Sequence, residues 1–124
     1  FYRKGRLAAI GMAGKIKAGE IVGLTGDQLL REGIMVPFFG ISTPTPQAAA
    51  IMSLKWNVPI YMIRVKRFKG IKFKMTVENA LKIPKNLSKE ESVFTITSII
   101  SSRIEDWISD EPAQWLWAHR RWGK

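Results

Sequence analysis

Val58-Pro-Ile-Tyr-Met-Ile-Arg-Val-Lys-Arg-Phe-Lys-Gly-Ile-Lys-Phe-Lys-Met-Thr-Val-Glu78 holds two alternating runs, residues 58–68 and 71–78, separated by Lys69-Gly70. Alternation of apolar and charged residues is strand periodicity, and a glycine between two such runs marks a turn, so the stretch predicts a β-hairpin. Its faces separate by parity. Ile63 and Val65 with Phe73, Met75 and Val77 are expected to face a core, leaving Arg64, Lys66, Lys72 and Lys74 on the other side.

Helical patterns flank this hairpin. After it, Ser88-Lys-Glu-Glu91 is a capping box, with serine at the cap and glutamate three residues on. The helix it opens carries Val93, Ile96, Ile100, Ile104, Trp107 and Ile108 on one stripe and should stop before Pro112. Before the hairpin, Thr43-Pro-Thr-Pro46 leads into Gln47-Ala-Ala-Ala-Ile-Met. Thr45 is expected to cap that helix, Pro46 to sit in its first turn, and Asn57 to end it. Further back, residues 6–17 form a short amphipathic helix pattern through Leu7, Ile10 and Ala13, stopped by Gly19. Residues 20–25 read as a short buried strand ending at the turn Gly26-Asp27, and residues 34–39 as an extended stretch around Pro37. Helix, strand, helix, hairpin, helix is an α/β order, and predicts a small mixed sheet with flanking helices.

Composition narrows the partners. The 124 residues make one domain at most, without repeats. There is no cysteine, which excludes disulfides and thiolate metal sites, and no cofactor is called for. No apolar run approaches the ~20 residues of a spanning helix. Net charge is +10, unevenly placed: residues 1–87 carry 15 Lys/Arg against four carboxylates, whereas residues 88–124 carry five bases against six. A basic body calls for an anionic partner, whether nucleic acid, an anionic membrane face, a phosphorylated substrate or an acidic protein. The chain opens on Phe1 rather than Met, which reads as a segment of something longer.

The last twelve residues, Ala113-Gln-Trp-Leu-Trp-Ala-His-Arg-Arg-Trp-Gly-Lys124, carry three of the five tryptophans and the single histidine. Disordered ends have nowhere to bury large aromatics, so this end must dock on a core, a partner or a lipid surface. At about 100° per residue Trp115 and Trp117 point apart, so at least one indole should pack on the body and another stay free.

Lys17-Ala-Gly-Glu20, Asp27-Gln28, Val36-Pro-Phe-Phe-Gly40, the Thr/Pro-led helix and the Trp-Leu-Trp-Ala-His-Arg-Arg-Trp tail occur in order from about Gly5 to the end. In that order they resemble the late acyltransferases of lipid A assembly, of the lauroyl and myristoyl type. Those enzymes move a fatty acyl chain from acyl carrier protein to a hydroxyl of a lipid A precursor, at the cytoplasmic face of a Gram-negative inner membrane. The resemblance implies a glycerol-phosphate-acyltransferase-like fold. It also implies three partners: acyl carrier protein, the lipid A precursor and the anionic inner-membrane surface. No nucleic acid is expected. The family's base lies in a His-x4-Asp/Glu motif upstream of the matched region. His119 is five residues from Lys124 with no acid at that spacing. The chain is therefore read as the C-terminal portion of one acyltransferase domain, without the N-terminal anchor and the catalytic motif, and inactive alone.

On that resemblance Asp27 is the remaining catalytic candidate, an acid near the dyad that holds geometry or charge; without it, Asp27 is a turn aspartate. Gln28 either donates to a substrate oxygen or braces the loop. Phe38 and Phe39 either line the acyl-chain channel or pack a β-edge. The helix start at 43–46 offers free N–H groups to a phosphate. Lys66 and its basic neighbours are either a solvated face or a contact for headgroups, precursor phosphates or acyl carrier protein. Arg120 and Arg121 do likewise, or pair with Glu105, Asp106, Asp110 and Glu111. His119 reads as a structural hydrogen-bonder. Two other classes compete: a small basic nucleic-acid-binding module and a non-catalytic membrane-surface protein.

Overall fold

The computed structural model describes residues 6–123. Gly5, Phe1 and Lys124 lie outside them, as does the Leu7 side chain. The elements are α1 (Arg6–Lys17), β1 (Ile34–Phe38), β2 (Ile41–Thr45), α2 (Ala48–Trp56), β3 (Ile63–Arg67), β4 (Phe73–Val77) and α3 (Lys89–Asp110), then a 3₁₀ turn at Pro112–Gln114. This is the expected α/β class. Its β part is two antiparallel two-stranded sheets, β1–β2 and β3–β4.

α3 is the spine. Its capping box is formed: Ser88 Oγ accepts from the Glu91 amide at 3.2 Å, and Glu91 Oε2 accepts from the Ser88 amide at 2.9 Å. Val93, Ile96, Ile100, Ile104 and Ile108 are buried along one stripe, with Trp107 partly covered beside them. Phe38, Ala50 and Met62 complete the core against that stripe, from β1, α2 and the chain leading into β3. α1 ends in a Schellman arrangement: Glu20 N–H donates to the Lys15 carbonyl, Gly19 N–H to that of Ile16, and Gly19 takes φ +76°.

Three local expectations are corrected. Residues 20–25 form no strand; Ile21 is 98% exposed, and among the described residues no strand pairs with this stretch to satisfy its backbone. Residues 41–45 form β2 instead of opening a helix. Thr45 is buried there, its hydroxyl donating to the Thr43 carbonyl, so α2 starts behind Gln47 without a side-chain cap. The phosphate reading of residues 43–46 falls with it. At the far end α2 stops at Asn57, as expected, and the structure shows that residue in the left-handed conformation.

The third correction is the hairpin's orientation. Its register pairs Ile63 with Val77, Val65 with Met75 and Arg67 with Phe73. The ladder extends inward, Glu78 N–H donating to the Met62 carbonyl and Leu81 N–H to that of Ile60. Met62 is buried and Ile60 packs on the core. A strand has period two, so burying residues 60 and 62 turns 64 and 66 inward as well. Arg64 accordingly donates to Asp110 at 2.8 Å and to the Trp107 carbonyl, and Lys66 pairs with Glu111. Ile63, Val65, Phe73, Met75 and Val77 all face outward, each more than half exposed. The Gln114 side chain closes this end: its amide oxygen accepts from the Arg67 N–H at 2.8 Å, and its amide nitrogen donates to the Arg67 carbonyl at 3.0 Å.

Glu78 fastens the hairpin to α3, accepting from Arg103 Nε at 2.8 Å and from Trp107 Nε1 at 3.1 Å. The Arg103 guanidinium holds this carboxyl below its ordinary 4.5, burial opposes it, and the Trp107 bond adds to the lowering. A depressed folded value means that Glu78 stabilises fully above the unfolded pKa and loses that contribution as pH falls through the lowered one. Acid titration of stability should therefore show a decline starting below about pH 4.5 that is shallower in Glu78→Gln. Identical slopes in urea melts between pH 5 and 2 count against the role.

Candidate functional site

The tail builds the site. From Pro112 onward the backbone runs through successive turns, with Trp117 N–H to the Trp115 carbonyl, His119 N–H to Leu116 and Arg121 N–H to His119. These turns bring Trp115, Arg121 and Trp122 against β1–β2. Trp115 and Trp122 flank the Phe38 ring at centroid distances of 5.9 and 5.6 Å, and Trp122 Nε1 donates to the Phe38 carbonyl. Trp117 stays 55% exposed, edge-on to Trp115. Packed and exposed indoles thus coexist in the tail, as its spacing implies, but the exposed one is not free: Trp117 Nε1 donates to the Pro112 carbonyl at 2.6 Å.

Arg121 is fully buried between these rings and β2. Its guanidinium donates to the Pro44 carbonyl at 3.0 Å and to Thr45 Oγ1 at 2.7 Å, and lies 4.6 Å over the Phe38 ring. Nε has no hydrogen-bond partner among the described residues. Burial pushes the guanidinium's pKa below its ordinary value, and the Asp27 carboxylate opposes that shift. Stacking over an aromatic face is a setting that suits a weakly hydrated guanidinium and not an ammonium.

The same tail holds the loop after Gly26. A Cβ on Gly26 would meet Ile104 Cδ1 at 3.2 Å, so this backbone lies directly on α3. Trp115 Nε1 donates to Asp27 Oδ2 at 3.3 Å, and the Leu29 amide donates to His119 Nε2 at 3.0 Å. Accepting on Nε2 fixes His119 as the neutral, Nδ1-protonated tautomer. Asp27 is therefore half-buried, oriented by an indole and close enough to Arg121 to act on its charge, while His119 holds the same loop two residues on.

Placement of the other candidates is uneven. Gln28, half-buried, makes no side-chain hydrogen bond among the described residues. Phe38 sits in the core, walled by Trp115, Trp122 and Arg121, and not on an open channel. Phe39 is exposed beside it, at φ +49° in the two-residue turn with Gly40 at φ +72°. Positive φ at both positions suits a tight hairpin turn, and a phenylalanine there is uncommon. Lys66 is engaged by Glu111, away from the Asp27 loop. Arg120 is exposed, while Arg121 pairs with none of the helix acids; Asp110, Glu111 and Asp106 are taken by Arg64, Lys66 and Arg103. Sequence reading missed Arg121 as a buried staple. The signal available was an Arg-Arg pair set between tryptophans. Surface depressions lined by Leu87, Glu90, Glu91, Phe94 and Thr95, and by Arg67, Phe68, Ala113 and Gln114, lie elsewhere.

An acidic loop and a ring-packed hairpin, both held by an aromatic and basic tail, define an α/β unit built around that tail. The family model for bacterial lipid A biosynthesis acyltransferases matches residues 6–124, so the chain belongs to that family. Membership makes it part of the acyltransferases of lipid A biosynthesis, acting between an acyl donor and a lipid A-type acceptor. Among curated proteins none matches the chain.

Removing the staple strands two acceptors and opens a cavity under Phe38. Arg121→Ala should cost about 3 kcal/mol or more, and Arg121→Lys should restore only part of it, because one ammonium cannot reproduce the planar fork. Denaturant midpoints of the three proteins read this directly. A lysine variant as stable as the parent makes the guanidinium geometry irrelevant.

Proposed function

We propose that this chain is the C-terminal portion of an acyltransferase domain that transfers a fatty acyl chain from acyl carrier protein to a hydroxyl of a lipid A precursor. The observation that carries the reading is the family match over residues 6–124. Acyl transfer needs a base for the acceptor hydroxyl and donors for the oxyanion at the thioester carbon. The chain's single histidine is committed to the Leu29 amide, and no acid stands at dyad spacing from it. The base is thus assigned to residues outside these 124. Asp27 is assigned the supporting role, a carboxylate set by Trp115 beside the reaction centre, with Gln28 free to donate to a substrate oxygen. Phe39 is the ring of its pair open to an acyl chain, and Arg120 the arginine of its pair open to a phosphate.

The working place in this reading is the cytoplasmic face of a Gram-negative inner membrane, where the acceptor lipid resides. No helix among the described residues is long and apolar enough to cross a membrane. Attachment is assigned to surface contacts or to a segment outside this chain.

The purified chain alone should give no acyl transfer from acyl carrier protein above a no-protein control; turnover that vanishes in His119→Ala overturns the assignment of the base. In the whole acyltransferase domain, Asp27→Asn should lower kcat by roughly 100-fold or more, the size of one well-placed polar group, with little change in melting temperature. Unchanged turnover reduces Asp27 to a turn residue.

A further inference from the structure

The register that orients the hairpin β3–β4 also sorts its charges. Lys66 pairs with Lys74 and Arg64 with Thr76, so these cations share one side, where Asp110 and Glu111 take up Arg64 and Lys66. The opposite side holds Tyr61, Ile63, Val65, Phe73, Met75 and Val77, each 52–66% exposed. Arg67, across from Phe73 and 5.3 Å over its ring, is the one charged strand residue there. At ~200 Å² for a large side chain, these exposures leave roughly 700 Å² bare. That is more than the largest apolar patch of an ordinary monomer, and close to the ~800 Å² each partner gives to a stable pair.

We propose that this face pairs with the same face of a second copy, the two hairpins stacking as leaves of a sandwich. Sheets packed in this way lie about 10 Å apart with their strands roughly aligned. The two-fold axis lies between the hairpins and runs across the strands, so that β3 lies reversed over β3 of the second copy. Ile63 then faces Val65 of the second copy, and Met75 faces its Val77. At each place a longer side chain meets a shorter one, which lets the layers interdigitate without a void. Tyr61 faces Arg67 of the second copy, so the one charge on the seam meets an aromatic ring. An axis along the strands would instead bring the two Arg67 side chains together at one end. The face is thus complementary to itself, as a two-fold interface must be, and that decides the occupant. α3 already covers the other side of the hairpin, so the second copy completes a layered arrangement.

Sedimentation equilibrium of the purified chain should give twice the chain mass at roughly 100 μM, above the micromolar end of interfaces of this size, and a monomer on dilution. Added salt should tighten the pair, because it screens the net charge of +10 that opposes bringing two copies together. Met75→Lys places an unpaired charge in the seam and should raise the dissociation constant roughly tenfold or more. Lys74→Gln, one residue away on the opposite side, should change it little. Tyr61→Ala and Arg67→Ala should each weaken the pair, and together no more than the larger single effect, because the two residues face one another. Five results overturn the proposal: a monomer throughout, dissociation by added salt, a dimer that survives Met75→Lys, one lost equally in Lys74→Gln, or full additivity of the Tyr61 and Arg67 changes. Should Met75→Lys unfold, the mass of the parent chain and its salt dependence still decide. Mass is read without turnover, so this proposal and the acyl-transfer reading fail separately.

Discussion

A single buried cation ties the C-terminal tail to the rest of the molecule. The Arg121 guanidinium reaches back to Pro44 and Thr45 and stacks over Phe38, so the last turns of the chain become part of the core formed by the first hairpin. Burying a charge is costly unless its hydrogen bonds are replaced. Here two are replaced by β2, the ring face substitutes for further solvent, and the Asp27 carboxylate supplies opposite charge nearby. With that end fixed, Trp115 and His119 hold the Asp27 loop. The position of the candidate acid therefore depends on residues some 90 positions away in sequence.

α3 supplies the second constraint. A stripe of isoleucines receives β1, α2 and the chain entering β3, and its C-terminal acids receive the inward cations of the second hairpin. The two hairpins thus meet the helix differently. β1–β2 is bound through apolar burial and rings, whereas β3–β4 is bound apolar at its base and ionic further out. Exposed ion pairs contribute little each, so the outer part of β3–β4 is the more easily displaced of the two.

What the sequence made legible follows local physics. The capping box at Ser88, the stripe along α3, the end of α2 at Asn57 and the turn at Gly70 depend on neighbours within a few residues, and each is found. The failures are tertiary. Residues 43–46 carry helix-start residue types, yet Thr43 and Thr45 are buried in a strand because Arg121 and β1 compete for them. The hairpin's two faces were separated correctly by parity and assigned to the wrong sides, because Met62 and Ile60 outweigh the face with more apolar residues. The Asp27 loop was legible as a turn. Its link to Trp115 was not, since no periodicity connects residues 88 positions apart.

Gln114 carries a consequence of another kind. By taking both the N–H and the carbonyl of Arg67, its amide occupies the hydrogen-bonding groups that the outer edge of β3 would offer to an incoming strand. Open edges next to exposed apolar residues are the usual template for edge-to-edge association of sheets. A side chain that imitates one residue of a third strand closes that template at the end nearest the hairpin tip. The fold thereby keeps an apolar face open to an interface while guarding an edge against its own kind.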